Sequence, residues 1–419
     1  MAGFRFIHCA DIHLDSPLRG LSAYPGAPVE EMRSATRRAL DNLIRLAVEE
    51  PVDFVVIAGD LYDGDWPDFQ TGLYFNSQMA RLGRAGIRIY VVRGNHDAAS
   101  VITRSLPSQD HVKVLSAKRP ESVVVDGLDA VVHGQSFATK AVGDDLAAHY
   151  PPPVSGSFNI GLLHTALEGR PPHGAYAPCR PEQLISHGYH YWALGHVHAR
   201  EVVYNQGPHI VFPGNLQGRT IRETGAKGAT MVTVRDGQVA EVEHRPLDVL
   251  RWALVEADVT GDGDRDQALA ALRRELEAAL DAAYGRTLAA RVRFTGVSAA
   301  HGELVRDREA LREVVRALGA DVSDRLWVEK VEAATRPVLD RTALRHRDDA
   351  IGELLATLDE AAGDPGSGRW LVDEVAALTE RLPADVRESL PDLADPEGLR
   401  ACLTEVEDML LSALAEQGA

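Results

Sequence analysis

The sequence predicts a layered α/β sandwich, followed by a smaller α+β domain and a helical C-terminal region. Apolar runs without alternation, such as Phe54-Val55-Val56-Ile57-Ala58, are typical of strands buried on both faces. Between the early strands, residues 30–49 and 68–85 carry apolar residues at helical spacing. Near Pro246 a new succession of strand and helix signals begins. We therefore expect three domains, at residues 1–246, 247–335 and 336–419.

The expected strands of the first domain lie at residues 4–10, 53–59, 87–93, 122–125, 129–133, 158–163, 191–195, 201–204, 209–213, 229–235 and 239–246. The later ones are closely spaced with turn pairs such as Asp236-Gly237, which indicates antiparallel hairpins. In the second domain we expect three strands, at residues 250–259, 288–296 and 326–332. We also expect two helices, at residues 265–284 and 303–318. After Pro337, apolar residues at helical spacing predict helices.

The composition is that of an ordinary soluble globular protein, with 45% hydrophobic and 25% charged residues among 419. No apolar stretch approaches the roughly 20 residues that span a bilayer, so we expect no membrane association. The opening run Phe4–Ala10 is too short for the apolar core of a signal peptide. Three widely spaced cysteines fit a reducing compartment, and we expect a cytoplasmic protein.

The charge is unevenly distributed along the chain. The formal net charge is −18, of which residues 331–419 contribute −12. Proteins that bind duplex DNA often carry a basic surface. The acidic balance therefore argues mildly against tight, unaided binding to DNA, and it leaves room for a local basic groove or a basic partner.

Five short segments in the first 200 residues each follow an apolar, β-forming run, and together they supply seven metal-ligand side chains. These are Asp11, His13, Asp60, Asn95, His164, His196 and His198. These ligands are carboxylates, imidazoles and an amide, and they include no thiolate. Such a set suits Mn, Fe or Zn in an octahedral-type site rather than a cysteine-based structural zinc site. Seven ligands are too many for one ion and suit two ions that share a carboxylate, for which Asp60 is the candidate. Two ions about 3.5–4 Å apart are a standard device for hydrolysing phosphate esters.

The motifs differ in strength when they are taken singly. An Asp-x-His or a Gly-Asp after a strand is more often incidental, whereas Gly94-Asn95-His96-Asp97 and Gly195-His196-Val197-His198 are stronger signals. All five segments in this order, each at a strand end, make coincidence very improbable. By contrast, His8 and His133 lie within strands, where a hydrogen-bonded core histidine is the favoured interpretation.

The combined pattern resembles the calcineurin-like metallophosphoesterase family over about residues 8–200. The resemblance implies a layered metallophosphoesterase sandwich of two mixed sheets flanked by helices. It implies that one ion is held by Asp11, His13, Asp60 and His198, and the other by Asp60, Asn95, His164 and His196. It also implies that His96 contacts the phosphate and protonates the leaving group, and that Asp97 orients His96 or its loop.

Finer features favour DNA as the substrate. The segments at residues 11–18 and 59–63 resemble the nuclease subunits of double-strand-break repair complexes, the SbcD-like proteins. Residues 212–228 resemble the YhaO-type branch of that group, and this resemblance covers about residues 1–330. It implies a metal-dependent DNA exonuclease with two divalent ions, most often Mn, with Fe or Zn as alternatives. It implies as partners DNA, an SMC-like coiled-coil ATPase and a second copy through helices near residues 66–83.

Several points stay open from the sequence. Asp63 stands where archaeal and eukaryotic relatives carry a histidine, which puts any second catalytic histidine in doubt. We expect Asp63, Arg219 and Arg222 to contact substrate, with surface ion pairs as an equal alternative for the arginines. The acidic tail either clasps the ATPase or packs as a small helical bundle on its own chain. The alternative function is a nucleotide phosphodiesterase or phosphatase of the same fold, and a non-catalytic scaffold is improbable because every ligand position is filled.

Overall fold

A computed structural model describes residues 3–16, 29–63, 70–99, 109–168, 176–338 and 341–363, with scattered helical positions between 398 and 410. Its strands, in chain order, are β1 (Phe4–Cys9), β2 (Phe54–Ala58), β3 (Arg88–Val92), β4 (Val112–Val114), β5 (Glu121–Val124), β6 (Ala130–Gly134), β7 (Phe158–His164), β8 (Tyr191–Gly195), β9 (Glu201–Tyr204), β10 (His209–Phe212), β11 (Gly228–Arg235), β12 (Gln238–Pro246), β13 (Leu250–Asp258), β14 (Thr287–Ser298) and β15 (Leu326–Pro337). Its helices are α1 (Val29–Glu49), α2 (Gln70–Arg84), α3 (Asn95–Ala99), α4 (Pro181–Ser186), α5 (Arg265–Asp281), α6 (His301–Arg306), α7 (Arg308–Val322), α8 (Arg341–Arg345) and α9 (Ala350–Gly363).

Two six-stranded mixed sheets carry the fold of the first 246 residues. One has the order β12-β11-β1-β2-β3-β4, with β1 to β4 parallel and β11 and β12 antiparallel. The other has the order β5-β6-β7-β8-β10-β9, with parallel strands at its centre and an antiparallel strand at each edge. The predicted α/β sandwich of two mixed sheets with flanking helices is confirmed.

The apolar strands are buried on both faces because each sheet packs on two neighbours. One face of each sheet contributes to a shared core that includes Phe6, Phe54, Phe158 and Tyr191, all fully buried. The ring of Phe6 stacks on Phe54 and meets Tyr191 edge to face. The outer face of the first sheet packs on residues of α1 and α2, such as Leu40. This double burial explains why the early strands lack a polar alternation.

The elements that were not predicted are short. Strand β4 has three residues, of which none is fully buried. Helix α3 has five residues and α4 has six, so neither contains enough turns for a helical repeat to stand out. The expected helix at residues 68–85 begins at Gln70 among the described residues, since positions 68 and 69 lie outside them.

The second part of the chain contains a three-stranded sheet with the order β13-β14-β15. Helix α5 and the strands agree with the expected elements, but the single helix expected at 303–318 was wrong. It is two helices, because Asp307 adopts an extended backbone and its carboxylate accepts hydrogen bonds from the N–H groups of Glu309 and Ala310. Asp307 thus ends one helix and caps the next.

The chain divides into two compact units. The first comprises Met1–Leu254, Ala278–Arg291 and Ser323–Glu329, and the second comprises Val255–Glu277, Val292–Val322 and Lys330–Ala419. The proposed three-domain boundaries stay a prediction. In the tail, α8 and α9 are helical as expected, while most of residues 364–419 lies outside the described residues. No helix of the described part is long and apolar enough to cross a membrane.

Candidate metal centre

The carboxyl ends of the parallel neighbours β1 and β2 lie side by side in the first sheet and bring two ligand-bearing loops together. The N–H of Asp11 donates to the carbonyl of Gly59 at 3.0 Å, and that of His13 to the carbonyl of Asp60 at 3.1 Å. Asp11, His13, Asp60 and His196 have φ of 50°, 43°, 53° and 101°. Such left-handed backbone costs about 1–3 kcal/mol per residue and concentrates at functional sites. The loops therefore hold these four residues in a backbone conformation that non-glycine residues disfavour.

The predicted ligands converge in two groups that share this edge. The ligand atoms of Asp11, His13 and His198 lie within 4.8 Å of one another, and so do those of Asp60, His164 and His196. In the first group, His13 Nε2 lies 3.2 Å from His198 Nε2. Each group contains three buried or half-buried side chains. The first group comes from the segments after β1 and β8, and the second comes from the segment after β2, the end of β7 and the segment after β8.

Asn95 joins the second group, and His96 lies between the two. The Oδ1 of Asn95 lies 3.0 Å from His164 Nε2, which is 3.5 Å from Asp60 Oδ2. The ligand atoms of His13, Asp60 and His96 also come within 4.8 Å of one another. Asp60 therefore has ligand atoms of both groups around its carboxylate. All seven predicted ligands are brought to one place.

The distances and donor types fit divalent metal ions. Two cis ligands bonded to one ion at 2.0–2.1 Å lie about 3 Å apart, which is the spacing of the facing His13 and His198 nitrogens. Asp11 and Asp60 are each 1% exposed. Burial, and next the Asp60 charge, raise the pKa of Asp11 well above its usual value. Bound cations would relieve this repulsion between buried carboxylates.

The imidazole of His164 is fixed in one orientation. Its Nδ1 donates to the carbonyl of Ala58 at 2.8 Å, which directs Nε2 towards Asp60 and Asn95. Burial lowers the pKa of His164 to about 3 and that of His13 to about 4. Both rings are therefore neutral near pH 7, which is the form that binds a metal.

Glycines leave the space that these ligands occupy. A Cβ on Gly94 would lie 2.2 Å from Asp60 Oδ1 and 2.8 Å from His164 Cε1. A Cβ on Gly59, whose φ is +92°, would lie 2.5 Å from His164 Nδ1. Any side chain larger than hydrogen at Gly59 or Gly94 would clash with the side chains of the proposed metal ligands.

We expect Gly94→Ala to weaken metal binding at least tenfold, because the new methyl group displaces Asp60 and His164. The measurement is calorimetric titration of the metal-free protein with Mn²⁺. Gly86→Ala is a useful comparison, since its Cβ would meet nothing within 4 Å although its φ of +77° adds backbone strain. Equal Mn²⁺ affinities for Gly94→Ala and the unaltered protein would contradict this account of Gly94.

His96 and Asp63 form a pair beside the ligands. The Nδ1 of His96 lies 3.1 Å from Asp63 Oδ1, and its Nε2 lies 4.0 Å from Asp60 Oδ2. The hydrogen bond to Asp63 raises the pKa of His96 despite the opposing effect of burial. The nearby imidazoles of His13 and His96 hold the pKa of Asp63 far below its usual value. The side chain of His96 is one-third exposed.

Asp97 ties two loops together and does not reach the ligand groups. Its Oδ1 accepts from the backbone N–H groups of Leu61 and Tyr62, and its Oδ2 from that of Gly94. Burial and the Asp60 charge raise the pKa of Asp97 to about 7. The predicted role in orienting the loop of His96 is consistent with these contacts.

The loop after β10 contacts the site through Arg219, which was predicted, and through Glu223, which sequence reasoning missed. Glu223 Oε1 lies 2.7 Å from His198 Nδ1, and Lys227 donates to the carbonyl of His198 at 3.1 Å. Arg219 lies between two carboxylates, with Nη1 3.6 Å from Asp63 Oδ2 and Nη2 3.5 Å from Glu223 Oε1. Arg222 is exposed, and its described contacts give no link to the ligands. Only spacing in the Arg219–Glu223 run, an i, i+4 charge pair, hinted at this arrangement.

Comparison with known proteins agrees with the fold. Residues 4–200 match the family model described as calcineurin-like phosphoesterase. Residues 4–200 are thus a calcineurin-like metallophosphoesterase domain, and this class of hydrolase uses divalent metal ions. Residues 252–336 match the model of the middle domain of metallophosphoesterase YhaO. The chain is homologous to YhaO and to Mre11.

Individual relatives support this relationship. The chain is 37% identical to the uncharacterized metallophosphoesterase YhaO of Bacillus subtilis over 258 residues, 61% of this chain and 63% of that protein. It is 26% identical to the DNA double-strand break repair protein Mre11 of Methanopyrus kandleri over 304 residues, 64% of this chain and 62% of that protein. The alignments thus span slightly less than two thirds of these curated relatives.

A crystal structure of a dimetal phosphatase from Danio rerio has 14% identity to this chain and a TM-score of 0.35, and the match covers 56% of this chain and 93% of that one. A similarity this low says nothing about substrate.

Proposed function

We propose that this metallophosphoesterase is a DNA exonuclease that acts in DNA repair. The observation that carries the proposal is the succession, in one chain, of the phosphoesterase domain and a segment matching the YhaO middle domain. The homology to a DNA double-strand break repair protein supports the same substrate class. The motifs at residues 11–18 and 59–63 point in the same direction.

The two groups of side chains support the ligand assignment that the family resemblance implies. One divalent ion would be held by Asp11, His13, Asp60 and His198, and a second by Asp60, Asn95, His164 and His196. We propose manganese as the metal, because the set combines hard oxygen donors with imidazoles. When bound, such a pair of ions neutralises the phosphate oxygens and supplies an ionised water as nucleophile near neutral pH.

The protein side chains supply the proton and the orientation. We propose that His96 donates the Nε2 proton to the oxygen that leaves phosphorus, since that nitrogen faces the ligand cluster and the ring is partly exposed. Asp63 accepts from the Nδ1–H of His96 and keeps Nε2 directed inward. Arg219 Nη1 lies 3.6 Å from Asp63 Oδ2, and we propose that both residues contact the substrate beside His96.

The test is degradation of end-labelled linear duplex DNA by the purified chain with Mn²⁺, compared with hydrolysis of mononucleotides and cyclic nucleotides. We expect release of nucleotides from duplex ends and loss of that activity with a chelator. The alternative, a nucleotide phosphodiesterase or phosphatase, predicts the reverse preference. It is favoured by the net charge of −18, which opposes tight binding to DNA.

The proposed partners need separate tests. We propose an SMC-like coiled-coil ATPase as a partner and self-association as a homodimer through helices near residues 66–83. The ATPase should raise nuclease activity and should fail to co-purify with a chain ending near residue 335. Sedimentation of the purified chain tests the dimer.

A further inference from the structure

We propose that Glu223 is a positioning residue that sets the ring orientation of His198 and thereby the affinity of the ion held with Asp11 and His13. This inference rests on the proposed function, because it assumes that His198 is a metal ligand. Glu223 lies 25 positions after His198 in the sequence, in a loop that was expected to face DNA.

The carboxylate of Glu223 contacts the His198 ring with one oxygen and its own loop with the other. Oε1 accepts a hydrogen bond from His198 Nδ1 at 2.7 Å. Oε2 accepts from the backbone N–H of Arg219 at 2.6 Å and from Asn215 Nδ2 at 3.0 Å. The side chain is 12% exposed. A carboxylate fixed at one oxygen by two donors presents the other oxygen at a defined place.

The same loop holds the backbone of His198. Its carbonyl accepts from the N–H of Asn215 at 3.2 Å and from Lys227 Nζ at 3.1 Å. Lys227 is 7% exposed, so it is an internal contact and not a surface charge for DNA. A Cβ on Gly214 would lie 2.9 Å from the same carbonyl, which explains the glycine at this close approach.

Because its backbone carbonyl and its Nδ1 are both held, the ring of His198 points its Nε2 in one direction. The hydrogen bond to Glu223 places the proton on Nδ1 and leaves the lone pair on Nε2. That Nε2 lies 3.2 Å from His13 Nε2 and 4.0 Å from Asp11 Oδ1, inside the first ligand group. Partners of metal-bound histidines typically change metal affinity 10- to 100-fold when they are removed. The second group is expected to be spared, because His164 is oriented by Ala58 instead.

The experiment is calorimetric titration of the full, metal-free chain with Mn²⁺. We expect two binding events in the unaltered protein and, in Glu223→Met, one event weakened 10- to 100-fold with the other unchanged. Glu223→Gln keeps an acceptor for Nδ1–H and should fall between them. Thr224→Ala, at the neighbouring exposed position, should leave both events unaltered. The double variant His198→Ala/Glu223→Met should bind Mn²⁺ with the same affinities as His198→Ala alone, because Glu223 then has no His198 ring to orient.

The outcomes separate this inference from the proposed function. If the unaltered protein binds fewer than two ions, the dinuclear centre itself fails. If it binds two and Glu223→Met binds both with the same affinities, the positioning role is overturned. Should Glu223→Met not fold, nitrogen NMR of His198 in the unaltered, metal-free protein decides. A proton on Nδ1 supports the inference, and a proton on Nε2 overturns it.

Discussion

Replacing Asp60 by Asn is expected to lower phosphodiester hydrolysis at least a thousandfold. The side chain keeps its size. In the unaltered protein, Asp60 Oδ1 accepts from the N–H of His96 at 3.0 Å, and the amide oxygen of Asn can accept the same hydrogen bond. What is lost is the anionic oxygen that faces both ligand groups. A thousandfold loss corresponds to about 4 kcal/mol of transition-state stabilisation. The measurement is kcat with saturating Mn²⁺, together with the number of ions bound.

The same substitution should leave the metal-free protein at least as stable. Charge on Asp60 contributes to the raised pKa values of Asp11 and Asp97, so its removal reduces repulsion among buried carboxylates. Asp236→Asn is a matched control, since Asp236 has φ of 50° against 53° for Asp60 but lies exposed in the hairpin between β11 and β12. A large loss of stability in Asp60→Asn, with two ions still bound, would show that Asp60 is structural.

Replacing His96 by Gln is expected to lower kcat on DNA by about 10²- to 10⁴-fold, the range of general acid catalysis. Binding of two Mn²⁺ ions should persist, because the proposed ligand set does not include His96. Asp63→Asn should give a smaller loss of kcat, since His96 keeps a weaker acceptor for its Nδ1–H. The measurement is single-turnover cleavage of duplex DNA with enzyme in excess.

The leaving group distinguishes proton donation from other roles of His96. A nitrophenolate leaves without a proton, so the loss in His96→Gln should shrink on an aryl phosphodiester. An exposed histidine, His149, provides the control His149→Gln, which should behave as the unaltered protein. An equal loss on both substrates, or loss of one ion, would assign His96 to metal or phosphate binding alone.

Much of the fold and of the ligand cluster could be predicted because both depend on local patterns. Buried strands such as Phe54–Ala58 are apolar throughout, and polar residues directly after them stand at the sheet edge. Parallel pairing of β1 with β2 then brings Asp11 and Asp60 together whatever lies between them in the sequence.

The positioning contacts could not be predicted because they join distant segments through side-chain geometry. Glu223 reads as one more surface charge in the sequence, and only the folded loop reveals its contact with His198. Asp97 similarly follows His96 in the motif, but its three backbone donors come from two separate loops. The break at Asp307 was missed since a capping side chain inside a helical pattern changes no apolar position.

The most direct test of the central claim is the anomalous difference map of a crystal grown with Mn²⁺. We predict two peaks about 3.5–4 Å apart with the Asp60 carboxylate between them, one beside Asp11, His13 and His198 and the other beside Asn95, His164 and His196. A single peak, or two peaks that do not share Asp60, would contradict a dinuclear centre at this sheet edge.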